Sequence, residues 1–434
     1  MVLKNKLIFY SIIISIVLIF GFNLKTIEKF IPFLKDKIVK IIFLPDFIFS
    51  EKFVKNLELM KINAYNQNTF PQTQFVNLNY KTKKVFNDNE TQDQLDKLSD
   101  YSFLGTHYNT FWVEIWKENL FVVGKDGKIF ISKMNNLKNE EIYLTKDKIN
   151  NNLNELFNYV IPLHGVLIFN DKIFIAAQTK NESHTEENNC FNLEILFAHL
   201  SVNFLKFEKF FETNSCDEYL QGGRMFEYRH DGKTGILFST GNELKMLEAQ
   251  SEKSDFGKLL FIDLKEKNKT IFASGFRNIL GISADENAIF TTSMGPRGGD
   301  EINKIIKGKN YRWPIASYGE PYGENLPQYK FKKNHSENNF EEPIFTFIPS
   351  IAPSDIIKIP NNFNPKWINN YFVASLGSQS LFRLKFNQKY NRVLYIEKIL
   401  LGERIRDINY DEKTNSFILA IESGEIGVIS NRFN

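Results

Sequence analysis

Apolar and polar positions change rhythm along this chain. Behind Lys4 and Lys6 an almost unbroken apolar run, "LIFYSIIISIVLIFGFNL", fills residues 7–24. A helix of that length spans roughly 27 Å at 1.5 Å per residue, close to the bilayer hydrocarbon thickness of about 30 Å. The run predicts a transmembrane helix, within a 1–26 segment that is a membrane anchor or an uncleaved signal, with its lysines inside and the bulk of the chain outside. A cleaved signal peptide is the rival reading; no small-x-small site directly follows the run. Residues 27–97 form an amphipathic and polar connecting region. Their first part, "KTIEKFIPFLKDKIVKIIFLPDFIFS", has the period of a helix at a membrane surface or packed on the domain.

From residue 98 to 434 the rhythm shortens. Segments such as "FWVEIWKENLFVVGKDGKIFISK", "GVLIFNDKIFIAAQ" and "RMFEYRHDGKTGILFSTG" pair two apolar strands across turns such as Asp126-Gly127 and Asp231-Gly232. No helical periods separate them, which excludes a parallel α/β sheet. Turn signals return about every eight to twelve residues and larger units roughly every 40 to 60, an all-β pattern fitting a β-propeller better than a sandwich. In such a ring the last blade meets the first, which removes exposed edges.

Composition changes this picture little. A 15% aromatic content with 42 Phe favours strands, and a net charge of +3 from 54 basic and 51 acidic residues supplies no general field for nucleic acid. Cys190 and Cys216 are the two cysteines. Export would make a disulfide plausible; two buried thiols are the alternative.

Candidate chemistry gathers where strands end. "ASGFRNILGI" places Arg277 and Asn278 just after a strand, one suited to an anion and the other to an uncommon backbone conformation or carbonyl contact. "LGERIRDINY" sets Arg404 and Arg406 on one strand face, with Glu403 and Asp407 nearby. Two guanidinium forks side by side need a negative partner, from protein carboxylates or from a multi-carboxylate ligand. In "TTSMGPRGGDEINK" the carbonyls at Gly295 and Pro296 suit a hard cation such as Ca²⁺, or simply form a turn. Asp300 and Glu301 there would ligate the cation or pair with Arg297. Trp313, Tyr318 and Tyr322 would wall a pocket for a flat or sugar-like ligand, or pack between blades. Pro343, Pro349 and Pro353 mark a rim crossing or an edge. Of the six histidines, His164 in "IPLHGVLIF" has the best setting for acid–base work; His199 reads as core, His230 as exposed, and His184 and His335 as loop residues.

Taken in order, "GFRNILGI", "MGPRGGDEINKIIKGKNYRWP", "PSIAPS", "VASLGSQSLFRL" and "LGERIRD" resemble the soluble PQQ-dependent glucose/sorbosone (aldose sugar) dehydrogenase family, clearly over residues 275–407 and back to about 221. The resemblance implies a six-bladed β-propeller, periplasmic or secreted, or held at the inner membrane if the N-terminal segment stays. It also implies a quinone cofactor (PQQ) at the central axis, a bridging Ca²⁺, and a sugar oxidised by hydride transfer with a histidine as base. Carried over by position, Arg277, Asn278, Arg404 and Arg406 match the cofactor contacts, and Gly295 and Pro296 the metal-holding carbonyls. Two positions depart from the pattern: Leu220 stands where the base is expected, and Gly377 where a cofactor lysine is. Leucine cannot accept a proton. Two functions therefore stand: a sugar or alcohol oxidoreductase with altered proton handling, for which His164 is the candidate base, and a non-catalytic propeller binding a carbohydrate, an envelope polymer or a protein partner.

Overall fold

The computed structural model describes residues 78–86 and 109–431, apart from 158, 160, 186–188, 243–244, 322–330, 333–334 and 336–338. They belong to one compact unit, Asn66–Asn434. Among the described residues six sheets follow one another, each with four antiparallel strands as its body; the first also carries Phe204–Leu205, paired parallel to Asp147–Asn151. The innermost strands, blade 1 to blade 6, are Phe111–Trp116, Leu163–Phe169, Leu220–His230, Ile279–Ala284, Pro353–Lys358 and Ile405–Asp411. They touch in that cyclic order, and the sixth meets the first. The fold is an all-β six-bladed propeller.

Ring closure comes from early in the chain. Leu78–Lys84 pairs with Glu425–Asn431 as the outer strand of blade 6, although its polar text left it within the connecting region. Among the described residues no helix is long and apolar enough to cross a membrane. The expected N-terminal transmembrane helix, the membrane contact through it and the inner-membrane location are corrected accordingly, and the fold is described by its strands alone. The run 7–24 that prompted them lies outside the described residues, as do the amphipathic stretch after it, His107 and Tyr322.

A single four-stranded blade exposes two apolar faces. Stacking solves this: among the described residues, six of the apolar clusters are each shared by two adjacent blades. Phenylalanine does much of the filling. Between blades 4 and 5, Phe290 lies flat on Phe386 with ring centroids 4.4 Å apart; burying one such side chain stabilises by about 1.5–3 kcal/mol. Turn chemistry is as expected at Asp231-Gly232, where both residues have positive φ and close a two-residue hairpin.

One irregularity repeats. The pairing of the inner strand slips by a residue or two between Leu163 and Gly165, Gly222 and Met225, Ile279 and Gly281, Pro353 and Asp355, and Ile405 and Asp407. These are β-bulges near the start of five inner strands. A bulge re-aims the side chain it frees, so His164, Arg224, Leu280, Ser354 and Arg406 come from equivalent levels around the axis.

Candidate functional site

Strand direction alone puts the candidate residues on one rim. Each inner strand starts at the rim where the second strand of its blade ends. Arg277 and Asn278 precede the inner strand of blade 4, and Gly295 and Pro296 follow its second strand, Ile289–Ser293. Arg404 precedes the inner strand of blade 6, and Glu422 follows its second strand, Ser416–Ile421. Lys125, after Asn119–Gly124, occupies the corresponding place in blade 1.

On the blade 6 side, a buried carboxylate organises the arginine pair. Arg404 Nε donates to Glu422 Oε2 at 2.7 Å, and Arg406 Nε to Glu422 Oε1 at 2.9 Å. The partner is Glu422, not the adjacent Glu403 or Asp407. Burial would raise the Glu422 pKa, but Arg406 and Arg404 outweigh it and hold the carboxyl below its ordinary range. Lys125 and His164 lie within electrostatic reach of Arg406. Burial, then Arg406, push the Lys125 ammonium down to about 8, against the pull of Glu422. His164 Nε2 lies 3.2 Å from Gln178 Oε1. Burial, then Lys125, with Arg406 adding, lower its pKa to about 4.

On the blade 4 side, Arg277 Nη1 points at Gly295 O at 3.4 Å, and its guanidinium lies 5.8 Å from the Trp313 ring centroid. Asn278 is a positioning residue: its Oδ1 accepts from Gly222 N–H at 3.0 Å, and its carbonyl accepts from Met294 N–H at 2.8 Å. A small cavity of about 20 Å³ lies here, bounded among others by Arg277, Gly295, Pro296, Glu301 and Ser317. The acids after the loop are committed elsewhere. Asp300 accepts from Gly295 N–H at 3.0 Å, from Ile351 N–H at 2.7 Å and from Ala352 N–H at 2.8 Å. It thereby ties the loop to blade 5. Glu301 pairs with Arg312 and accepts from Asn303. Neither pairs with Arg297. Tyr318 donates to Glu342 at 2.9 Å. Among the described residues no group of three or more His, Cys, Asp or Glu is placed to hold a metal ion.

Deeper on the axis sits a second charged network. Arg224 Nη1 meets Asp407 Oδ1 at 2.5 Å and Asp355 Oδ2 at 3.6 Å. Its Nε and Nη2 donate to the Leu280 and Ser354 carbonyls at 2.7 and 3.0 Å. These carbonyls belong to the bulges of blades 4 and 5. Burial, then Asp407, raise Glu114 well above the usual carboxylate range; burial raises Asp355 likewise, against Arg224. One arginine therefore ties together inner strands from opposite parts of the ring.

Leu220 is buried and packs in the cluster between blades 2 and 3. Gly377 donates its N–H to Ile351 O at 2.9 Å. His199, expected in the core, is exposed at a strand end, while His335 is buried against Glu342. Cys190 and Cys216 form a disulfide. Sequence reasoning missed Lys125, Gln178, Arg224 and Glu422. A signal existed for Glu422, since an acid directly after an apolar strand faces the start of the inner strand paired with it.

Residues 112–429 match the family described as Glucose / Sorbosone dehydrogenase. The aldose sugar dehydrogenase YliI of Escherichia coli is 30% identical over 230 residues, 49% of this chain and 60% of that protein. The quinoprotein glucose dehydrogenase B of Acinetobacter calcoaceticus is 28% identical over 126 residues, 28% of this chain and 24% of that protein. These matches span less than two thirds of either relative. Among solved structures, the soluble aldose sugar dehydrogenase of Escherichia coli in its apo form superposes with a TM-score of 0.62 at 20% identity, covering 82% of this chain and 100% of that one. The PQQ-bound aldose sugar dehydrogenase of Streptomyces coelicolor does so with a TM-score of 0.55 at 15% identity, covering 82% and 99%; these two likenesses speak for the fold. With the family match spanning most of the propeller, the chain belongs to the glucose/sorbosone dehydrogenase family.

Proposed function

We propose that this propeller is a quinone-dependent oxidoreductase that oxidises a sugar or related alcohol at the rim where the inner strands begin. The observation carrying this reading is the charge arrangement at blades 6 and 1. Lys125 and Arg406 face one carboxylate, Glu422, which Arg404 also holds. The depressed Lys125 pKa reflects that crowding as well as burial. A poly-carboxylate fits such a place, because it brings the negative charge the protein withholds. PQQ is such an anion, and when bound it supplies a two-electron acceptor.

In this reading Arg404, Arg406 and Lys125 hold the cofactor's carboxylates from blades 6 and 1. Arg277 approaches from blade 4, with Asn278 fixing the loop behind it. Gly295 and Pro296 offer main-chain oxygens toward a cation. Glu301 is occupied by Arg312, so a calcium ion there would depend on those carbonyls and on the ligand's own oxygens. The disulfide accords with an oxidising, periplasmic or secreted setting.

A second reading, a propeller that binds a carbohydrate or protein without oxidising anything, is favoured by two facts. Leu220 is packed away as core, and Gly377 has no side chain to reach a ligand. Titrating the purified chain with PQQ, with and without Ca²⁺, and following dye-linked oxidation of aldoses separates the two. Saturable quinone binding with sugar-dependent dye reduction supports the enzyme. Folded protein that binds no quinone refutes it.

A further inference from the structure

We infer that His164 is the proton acceptor of this site, with Nδ1 as the accepting atom and Gln178 as the residue that orients the ring; the inference rests on the quinone-dependent reading above. Oxidation of an alcohol to a carbonyl requires two departures. The C–H bond would break with its electron pair passing as hydride to a two-electron acceptor, the chemistry a bound quinone would supply. The O–H bond breaks with its proton going to a base. Leu220 cannot be that base, and it is turned into the apolar cluster between blades.

His164 is placed for the role by three features. First, it is the bulge residue of blade 2, at the level where blade 6 presents its own bulge residue, Arg406. Second, blade 3 makes room for it. Gly223 has a φ of 92°, and a Cβ there would come within 2.3 Å of His164 Cβ. The Cβ and backbone of His164 therefore lie against the strand that Leu220 begins. Third, Gln178 Oε1 accepts, so Nε2 carries the hydrogen and Nδ1 keeps its lone pair.

The surroundings keep the ring neutral and make it responsive. Lys125 of blade 1 and Arg406 of blade 6 face it with positive charge, Gln178 of blade 2 is neutral, and blade 3 presents glycine backbone. Glu422 is held by Arg404 and Arg406. Repulsion from Lys125 and Arg406 contributes to the pKa of about 4. A poly-carboxylate at those two cations cancels part of it, so cofactor binding moves His164 toward the range where a base works near neutral pH.

The test uses the full chain with PQQ as the probe. Carbon-13 NMR of the histidine Cε1 positions is followed against pH with and without saturating PQQ. The His164 midpoint is expected near 4 without PQQ and higher with it. His164→Gln should keep its affinity for PQQ within a fewfold and lose about 10²–10⁴ in the rate of sugar-dependent quinone reduction. Gln178→Glu puts a carboxylate beside Nε2. It should move the acid limb of that rate to higher pH by about 1 unit or more, which a merely structural glutamine would not do. No PQQ binding by the wild-type chain overturns the functional reading and this inference together. PQQ binding with an unmoved His164 midpoint, or with His164→Gln reducing the quinone as fast as wild type, overturns the inference alone.

Discussion

Replacing Arg224 with Met keeps most of the side-chain volume on the axis and removes its charge. Four contacts go: the ion pairs to Asp407 at 2.5 Å and Asp355 at 3.6 Å, and the hydrogen bonds to the Leu280 and Ser354 carbonyls at 2.7 and 3.0 Å. Breaking a buried pair from one side costs about 3–5 kcal/mol, because the remaining charge keeps its desolvation penalty. Two orphaned carbonyls add about 1 kcal/mol each, so a loss of about 5–7 kcal/mol at pH 7 is expected. The loss should depend on pH. Burial already lifts Glu114 and Asp355 above the usual carboxylate range, and removing the cation lifts them further. A carboxyl with a raised folded pKa binds more protons folded than unfolded, so stability falls as pH rises through that window. The deficit of Arg224→Met should therefore widen from pH 5 to pH 7. Urea unfolding followed by tryptophan fluorescence at both pH values measures it. Adding Asp407→Asn should recover a large part of the loss. A deficit under about 1 kcal/mol, or no recovery in the double variant, would refute the reasoning.

Two further outcomes follow from the same logic. Glu422→Gln removes the carboxylate shared by Arg404 and Arg406 and should cost about 2–4 kcal/mol at pH 7. Glu422 has a depressed folded pKa, so its contribution is present above the unfolded value and fades as pH falls through the folded one; equal urea midpoint shifts at pH 7 and pH 3 would contradict the pairing. Replacing both Cys190 and Cys216 with Ser opens a link across a sequence separation of 26. It should cost about 3 kcal/mol, reproduced by dithiothreitol on the wild type and absent from the variant; a wild type indifferent to dithiothreitol would count against it.

The fold was legible because its signals are local. Alternating strands and Asp-Gly turns mark hairpins wherever they occur, and the clustered phenylalanines say that each hairpin needs a neighbour on both faces. Leu78–Lys84 escaped notice because "LNYKTKK" is an outer strand, polar on its open side; only ring closure gives it a partner. The rim residues were legible where a motif held them, as at Arg277, Asn278 and Gly295. Glu422, Lys125 and Gln178 were not. Their neighbours come from other blades, and one sequence does not say which blade faces which across an axis. The bulges hid best of all. A strand read with strict alternation puts Arg404 and Arg406 on one face, and that is where they meet. It also sends Asp407 to the opposite face, and there Asp407 pairs with Arg224.

That separation keeps Asp407 away from the rim arginines. Arg406 and Asp407 are consecutive, at a slip in the pairing between Ile405 and Asp407, and they join different networks. Asp407 turns inward to Arg224 and accepts from Val113 N–H at 3.0 Å. Arg406 turns to the rim and Glu422. Arg224 occupies the acids of the axis from a bulge of its own, and among the described residues Lys125 and Arg406 face Glu422, which Arg404 shares. The axis thus separates a layer closed around Arg224 from an upper layer where Lys125, Arg404 and Arg406 gather around Glu422, with His164 at the same level.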